Sequence, residues 1–299
     1  MRPRLSVGMP VFNGADYVRE AIESILGQTF EDFELIISDN GSHDGTEEIC
    51  RAYAAQDRRV FYHRGRTNQG AARNFNRVFA LSSGEYFKWA AHDDKLAPDF
   101  VSQCLEVLER DPSVVLCHTK TTEIDERGAA VSNYDRTLDL TAAKPHVRFC
   151  RFLQLSAHRC FEAFGVIRAR ALQQSSLIGS FPGSDIRLLA ELTLFGKFYE
   201  VPEYLFLRRK QYRRPFEGAL PKRHMRTPWF DTAKGGKITL PMLQAFLGYL
   251  ASIMRAPVAW DERGHCFVEV LRWMWRRKRS VVEDLMVAAR QLQGRLPRA

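Results

Sequence analysis

Two hydrophobic patterns alternate along the first 125 residues. Short apolar runs are separated by longer segments in which apolar side chains recur every three or four positions. The runs are typical of buried strands, and the longer spacing is typical of amphipathic helices. The strands are predicted at 5–12, 33–38, 59–64, 85–91 and 113–125, with one helix between each pair. This alternation predicts an α/β fold with a mostly parallel sheet and helices on both faces.

After about residue 126 the regular alternation ends. A loop or hairpin, a strand and a turn come first, and residues 179–209 then read as loop, helix and strand. The remainder is basic and mainly helical. We therefore predict one α/β domain at 1–212, with a regular part (1–125) and a less regular part (126–212), followed by a helical C-terminal extension (213–299).

Polar residues follow four of the predicted strands, at the point where each strand ends. They lie in PVFNG at 10–14, SDNGS at 38–42, RGRTNQG at 64–70 and HDD at 92–94. Ligands of open α/β sheets bind beyond the carboxyl ends of the strands, so these segments are expected to meet at one edge.

The adjacent acids Asp93 and Asp94 require an explanation, because they follow an apolar strand. Burying like charges is unfavourable unless a cation is present, which points to a metal ion. Two solvated acids before a helix N-terminus, where negative charge is favoured, are the other interpretation.

Charge and composition restrict the possible classes of binding partner only partly. The 299 residues carry a formal net charge of +9, which favours phosphates, nucleic acid or an anionic membrane. The six cysteines form no CxxC pair and are interpreted as reduced thiols of a cytoplasmic protein. The N-terminus has no apolar leader, and the apolar stretch 240–254 is short for a bilayer span. We expect a soluble chain or one that lies peripherally on the inner face of the cell membrane.

Four motifs together resemble the family 2 glycosyltransferases, which have the GT-A fold. They are PVFNGADYVREAIESILGQTFEDFELIISDNGSHDGT, NQGAARNFN, HDD and PGSDIRLLAELTLFGKFYEVPEYLFLRR, and they extend over about residues 4–210. The resemblance implies a nucleotide-sugar donor, a divalent metal ion (Mn²⁺ or Mg²⁺) and, usually, inversion at the anomeric carbon. It also implies that 1–212 is the catalytic domain, with a nucleotide-binding part at about 1–125 and an acceptor and base part at about 126–212.

The resemblance also implies donor-binding residues. The backbone of Pro10, Val11 and Phe12 would line the nucleotide pocket. Asp39 could accept the N3–H of uracil and would repel cytosine, which presents an acceptor there, although guanine could also donate. A carboxylate that caps the SDNGS turn is the alternative.

The NQGAARN segment resembles the one in which an arginine of the family approaches the nucleotide. Arg73 would have that role, and Asn68 and Gly70 would shape the loop. A helix-surface arginine in a salt bridge is the alternative for Arg73.

By the same resemblance, Asp94 would contact the metal ion and Asp93 the ribose or donor sugar. Many relatives have a further acid where this chain has Ala91. Asp185 would be the catalytic base, with Ser184 as N-cap, because a helix N-terminus keeps a carboxylate ionised. A first-turn acid that only complements the helix dipole is the alternative.

Two basic segments remain. Arg208 and Arg209 are candidates for contacts with the diphosphate or a lipid-phosphate acceptor, or they are solvated. The segment 271–280 combines tryptophans with arginine and lysine, which suits either a membrane headgroup region or an exposed helix whose tryptophans pack on the domain.

The leading hypothesis is a metal-assisted, inverting transfer from a nucleotide sugar, with UDP favoured, to a hydroxyl of a saccharide or lipid-linked acceptor, in bacterial surface polysaccharide or glycolipid synthesis. One alternative is a sugar-nucleotide nucleotidyltransferase, which would normally carry a Gly-rich basic signature near the first strand. The other is a non-catalytic module that binds membrane or nucleic acid, which leaves the converging acids unexplained. We expect no nucleic-acid partner.

Overall fold

A mixed sheet forms the centre of the computed structural model, which describes residues 2–136, 139–155, 159–210 and 222–294. Its strands within these ranges are β1 (Leu5–Val11), β2 (Phe33–Asp39), β3 (Val60–Arg64), β4 (Tyr86–Trp89), β5 (Lys95–Leu96), β6 (Val114–Ile124), β7 (Ala130–Tyr134), β8 (Val166–Arg168) and β9 (Lys197–Arg209). The strand order is β3-β2-β1-β4-β8-β6-β9-β5, with β7 paired to β6 as a hairpin.

The four N-terminal strands β3, β2, β1 and β4 are parallel, as the alternation predicts. Val11, Asp39 and Arg64 are register partners across the three strands that they end. The loops that follow therefore start at the same edge of the sheet. The later strands introduce antiparallel pairs, since β8 runs against both β4 and β6.

The helices are α1 (Val18–Leu26), α2 (Thr46–Gln56), α3 (Ala71–Ala80), α4 (Phe100–Arg110), α5 (Pro145–Gln154), α6 (Ala169–Gln174), α7 (Ser184–Phe195), α8 (Lys222–Met225), α9 (Thr227–Phe230), α10 (Pro241–Arg255), α11 (Trp260–Arg276) and α12 (Lys278–Leu292). Short 3₁₀ turns lie at Phe161–Phe164 and Thr232–Lys234. No helix among the described residues is long and apolar enough to cross a membrane.

Two hydrophobic cores lie on the two faces of the sheet. Leu35 and Ile37 of β2 point into one core and Ile36 into the other, as the period of two requires. The core that contains Ile36 also includes Phe230 and Tyr249 of the C-terminal helices. The C-terminal extension thus packs on the sheet domain, and the predicted boundary at 212/213 lies outside the described residues.

Local details differ from the sequence analysis at two helix starts. Gly183, not Ser184, is the N-cap of α7, and the Ser184 hydroxyl donates to the Gly179 carbonyl at 2.7 Å. Asp44 and Glu47 have the spacing of a capping box in the sequence, but Asp44 instead accepts from the Thr46 amide at 3.1 Å and holds the turn before α2.

Candidate active site

Asp39 ends β2 at the centre of the polar edge and is completely buried. One carboxylate oxygen accepts the Ser42 amide at 2.8 Å, and the other accepts the Tyr62 hydroxyl at 2.6 Å. Burial and the adjacent carboxylate raise the pKa of Tyr62, so its hydroxyl keeps its proton and donates. Because a carboxylate has about four lone-pair sites, these two bonds leave Asp39 acceptor capacity.

The segment after β1 is tied to the segment after β2. Pro10 and Val11 are buried in the strand, while Phe12 is half-buried, with its ring edge-on to His43 at 5.5 Å. Asn13 has a φ of +51°, which makes the turn into α1, and its amide donates to the Ser42 hydroxyl at 2.9 Å. The two segments therefore form one wall of the candidate site.

A network of amide side chains shapes the loop before α3. Asn40 and the Gly70 amide both donate to the Asn68 side-chain oxygen at 2.8 Å. Asn74 donates to the carbonyl oxygens of Ser38 and Val11, which joins the ends of β1 and β2.

Neither Asn40 nor Asn74 was identified from the sequence. Their position directly after a buried strand and one turn into a helix was the available signal. Arg73 is exposed in the first turn of α3, beside this loop.

The backbone conformation and the close packing at position 70 require glycine. Its φ is +90°, and a Cβ there would lie 2.5 Å from the Phe230 carbonyl oxygen of α9. The C-terminal extension thus approaches the candidate site directly. The Thr232 hydroxyl donates to the Asn68 carbonyl at 3.0 Å, which the division into separate segments had not predicted.

Asp94 is almost completely buried beyond the end of β4. Burial first, and then the charge of Asp93, raise the pKa of Asp94 above its usual range. The Arg209 amide, which donates to Asp94 at 2.8 Å, does not offset this. The ionised form of this carboxyl group therefore needs further positive charge.

The guanidinium group of Arg209 is occupied by contacts within the protein. Its side chain is fully buried and donates to the backbone oxygens of Asp93, Asp125 and Glu126 and to the Glu20 carboxylate. These contacts argue against the expected contact with a diphosphate. Its neighbour Arg208 is partly exposed and lies 3.7 Å from Glu123.

The Asp93–Asp94 pair suits a divalent cation that is shared with a substrate. No cluster of three or more His, Cys, Asp or Glu side chains suited to a metal ion occurs in the part of the chain that the structure describes. Mg²⁺ in nucleotide sites typically uses one or two carboxylates, substrate phosphates and water. The raised pKa of Asp94 is consistent with a carboxylate whose partner cation arrives with the ligand.

Asp185 lies in the first turn of α7 and is half-buried. Burial, and then the charge of Asp185, raise the pKa of the Cys160 thiol. Cys160 and Ile186, the residue after Asp185, both line a cavity of about 220 Å³. The cavity is lined by Phe152, Leu153, Leu155, Cys160, Ile186, Tyr249, Trp273 and Arg277.

Contacts on two sides link the segments around Asp94 and Asp39 to the segment around Asp185. The Arg208 guanidinium lies over the Phe161 ring at 5.8 Å, and Phe161 follows Cys160. On the other side, Asn76 of α3 makes two hydrogen bonds, 2.9 and 3.0 Å long, with the backbone of Ile178 in the loop before α7. These contacts link the segments that carry the three acids.

Comparisons with known proteins give the family. Residues 6–175 match Glycosyl transferase family 2. The chain is 30% identical to an uncharacterized glycosyltransferase of Rickettsia felis, over 53% of this chain and 26% of that protein. It is 34% identical to the chondroitin synthase of Escherichia coli, over 44% and 19% respectively. The chain spans well under half the length of these curated relatives.

Solved structures share the fold at low identity. TarS 1–349 of S. aureus superposes with a TM-score of 0.64 at 16% identity, covering 93% of this chain and 73% of that one. Its complex with UDP-GlcNAc gives 0.62 at 16% identity, covering 97% and 81%.

The mannosyltransferase PcManGT from Pyrobaculum calidifontis, in complex with GDP-Man and Mn²⁺, gives a TM-score of 0.55 at 15% identity, covering 99% of this chain and 77% of that one. Because the family match covers more than half of the chain, the protein belongs to glycosyltransferase family 2 and has the GT-A fold.

Proposed function

We propose that this protein is an inverting glycosyltransferase that moves a sugar from a UDP-sugar to a hydroxyl group of a saccharide or lipid-linked acceptor. The observation that carries the proposal is the common edge where β1, β2 and β3 end level at Val11, Asp39 and Arg64, with Asp94 beyond the end of the neighbouring β4. Chondroitin synthase among the relatives supports a role in polysaccharide or glycolipid assembly. We place the reaction in the cytoplasm.

The donor nucleotide is proposed to bind along this edge. Asp39 would accept the N3–H of uracil, which favours UDP over CDP. The backbone of 10–12 and the loop of Asn68 and Gly70 would enclose the base and ribose, with Asp93 at the ribose or donor sugar. Arg73 and Arg208 are the exposed cations proposed for the diphosphate. The complexes of TarS with UDP-GlcNAc and of PcManGT with GDP-Man support a nucleoside diphosphate sugar.

Asp94 is the residue proposed to hold a divalent metal ion. When bound, Mn²⁺ or Mg²⁺ neutralises the charge that develops on the leaving diphosphate. The Mn²⁺ in the PcManGT complex supports this assignment.

Asp185 is proposed as the general base. The acceptor oxygen attacks the anomeric carbon from the side opposite the diphosphate and loses its proton to the Asp185 carboxylate. The bond from the anomeric carbon to the diphosphate oxygen breaks, and UDP leaves with that electron pair, so the configuration inverts. The N-terminus of α7 favours the ionised carboxylate that this step requires.

The cavity beside Asp185 is the proposed entry for the acceptor. Tyr249 and Trp273 line it with aromatic surface, which suits the apolar faces of sugar rings, and Arg277 provides a cation for an acidic or phosphorylated group. Its walls come from α5, α7, α10 and α11. The acceptor site would therefore be built largely by the C-terminal half of the chain.

A panel of UDP-sugars, assayed for Mn²⁺-dependent hydrolysis and for transfer, tests the proposal. We expect Asp185→Asn to lower transfer by about 100-fold or more, since a general base contributes about 10²–10⁴-fold, while UDP binding stays close to wild type. Asp94→Asn should remove the metal-dependent part of UDP affinity in calorimetry. The control is Glu48→Gln, which removes an exposed first-turn acid from α2.

Wild-type transfer rates in Asp185→Asn would refute the base assignment. A preference of the wild-type protein for nucleoside triphosphates over UDP-sugars would instead indicate nucleotidyl transfer.

A further inference from the structure

The helix α11 is apolar on two opposite sides. Trp260, Val268, Leu271 and Trp275 are spaced so that they share one face, and this face is exposed. The two tryptophans are 72% and 70% exposed, and Leu271 is 60% exposed. The opposite face, which includes Val270, is buried against the domain.

The following helix repeats this arrangement. Val282, Leu285 and Met286 of α12 are about half exposed, while Asp284 and Val287 on the opposite side are buried. Leu247 extends the pattern to α10 at 54% exposure. The solvent side of a surface helix is normally polar, so three consecutive helices with outward apolar side chains indicate a surface that another phase or molecule covers.

Cations lie beside the exposed tryptophans, while Asp261 and Glu283 are exposed acids of the same two helices. Lys278 lies 4.2 Å from the centre of the Trp275 ring, in a run of four consecutive cations at 276–279. Arg263 lies 4.6 Å from the centre of the Trp260 ring. The two tryptophans are 15 residues apart, about 22 Å along a helix axis, so each end of the exposed stripe has an aromatic ring beside a cation.

We propose that the outer face of α10–α12, centred on Trp260, Leu271, Trp275 and the 282–286 segment, docks on the surface of an anionic lipid bilayer. Tryptophan is favoured at the headgroup level, and aliphatic side chains between the rings would enter the acyl boundary. Each exposed lysine or arginine near an anionic surface adds electrostatic attraction. The inference concerns location and does not depend on the transfer reaction.

A second copy of the chain fits this face less well than a membrane does. If two copies paired through the face around 276–279, their cationic runs would be brought together, and like charges oppose such contact. An anionic bilayer satisfies both the apolar stripes and the charge.

Sedimentation of the full 299-residue chain with vesicles tests the proposal. We expect binding to vesicles of equal parts phosphatidylglycerol and phosphatidylcholine, weaker binding to phosphatidylcholine alone, and less binding at higher salt. The double variant Trp260→Ser, Trp275→Ser should lower the partition coefficient about tenfold or more, as the loss of at least about 1.4 kcal/mol predicts.

Two further variants separate the contributions. Lys278→Gln with Arg279→Gln should remove most of the preference for anionic vesicles but leave the weak binding to phosphatidylcholine. Phe61→Ser is the matched control, because it removes a half-exposed aromatic ring from β3 and should bind vesicles like wild type. UDP affinity and the melting temperature should be unchanged in all of these variants.

Three outcomes would overturn the proposal. The first is a wild-type chain that stays in the supernatant with anionic vesicles, and the second is a tryptophan variant that binds as well as wild type. The third is a stable dimer in light scattering that the double tryptophan variant converts to monomer, which would make the face an interface between copies.

Discussion

The carboxylate of Asp39 holds the turn after β2 and also lies at the edge where the donor base is proposed to bind. The sequence left these two roles as alternatives. The structure shows the turn contact with Ser42 and adds the hydroxyl of Tyr62, a partner from the next strand. Because a carboxylate accepts about four hydrogen bonds, the turn contact does not compete with base recognition.

Asp39→Asn should reduce UDP affinity and shift selectivity toward CDP. The amide keeps the shape of the side chain but can present a donor where uracil also presents a donor. A hydrogen bond to a charged group contributes about 1.5–3 kcal/mol, so we expect a loss of about 10–100-fold, measured by titration calorimetry.

Tyr62→Phe is the control for Asp39→Asn. It removes the hydroxyl donor to Asp39 but leaves the Ser42 amide and the carboxylate, so UDP should remain preferred over CDP. An unchanged ratio of UDP to CDP affinity in Asp39→Asn would assign the carboxylate to the turn alone.

At the scale of elements, the contact between the loop before α3 and the start of the C-terminal extension is the least expected feature. Thr232 binds the carbonyl of Asn68, and the Lys234 amino group donates to the Ser180 carbonyl at 2.8 Å, in the loop that leads to α7. The segment 227–234 thus touches both the proposed donor loop and the loop before the proposed base. The domain division predicted from sequence did not include this bridge.

Gly70→Ala tests this contact. The variant should be destabilised by the left-handed backbone, at about 1–3 kcal/mol, and further by the Phe230 carbonyl, which would lie 2.5 Å from the new Cβ. Urea unfolding measures the difference, and UDP affinity should fall as the loop is displaced.

The matched control is Gly236→Ala. Gly236 also has a positive φ, of +74°, but among the described residues no atom beyond its two chain neighbours lies within 4 Å of the position that a Cβ would take there. The loss of unfolding free energy in Gly236→Ala therefore measures the cost of the positive φ alone. Equal losses of stability in the two variants would show that the C-terminal extension does not constrain the loop of Asn68 and Gly70.

On the scale of the whole molecule, the stability of the fold should depend on pH through Lys88. This side chain is fully buried below the site, where its ammonium group lies 4.2 Å from the centre of the Phe100 ring and donates to the Phe164 carbonyl. Burial lowers the pKa of Lys88 to about 7, against the partial opposition of Cys104 and Asp94. Between that value and its ordinary pKa of 10.5, the unfolded chain binds a proton that the folded chain does not.

Stability should therefore rise with pH above about 7 because of this residue, by up to about 1.4 kcal/mol per pH unit. Lys88→Met removes the titrating group and with it this rise. The wild type should therefore gain stability relative to the variant as the pH increases from about 7 to about 8.5. Urea titrations at several pH values measure this slope. Parallel curves for the two proteins would show that Lys88 is charged when buried.

Much of the fold and the general position of the site could be predicted from the sequence. The strands β1–β4 and β6 and the helices between them follow from hydrophobic period, which local sequence encodes, whereas the two-residue strand β5 was not predicted. The polar edge follows from parallel strands ending on one side, so the residue pattern marked the segments that contain Asp39, Asn68 and Asp94. The family resemblance gave Asn68 its role. The family match of residues 6–175 confirms the family resemblance that connected these segments.

Only the tertiary structure decided which polar side chains are accessible to a ligand. Arg208 and Arg209 are equivalent in sequence, yet one is partly exposed and the other is enclosed by Glu20 and three carbonyl oxygens. The approach of Phe230 to Gly70 and the outward apolar stripe of α11 were also undetermined by sequence. These features depend on contacts between residues far apart in the chain, whereas a residue's type and spacing specify only its local conformation and the side of its element on which it lies.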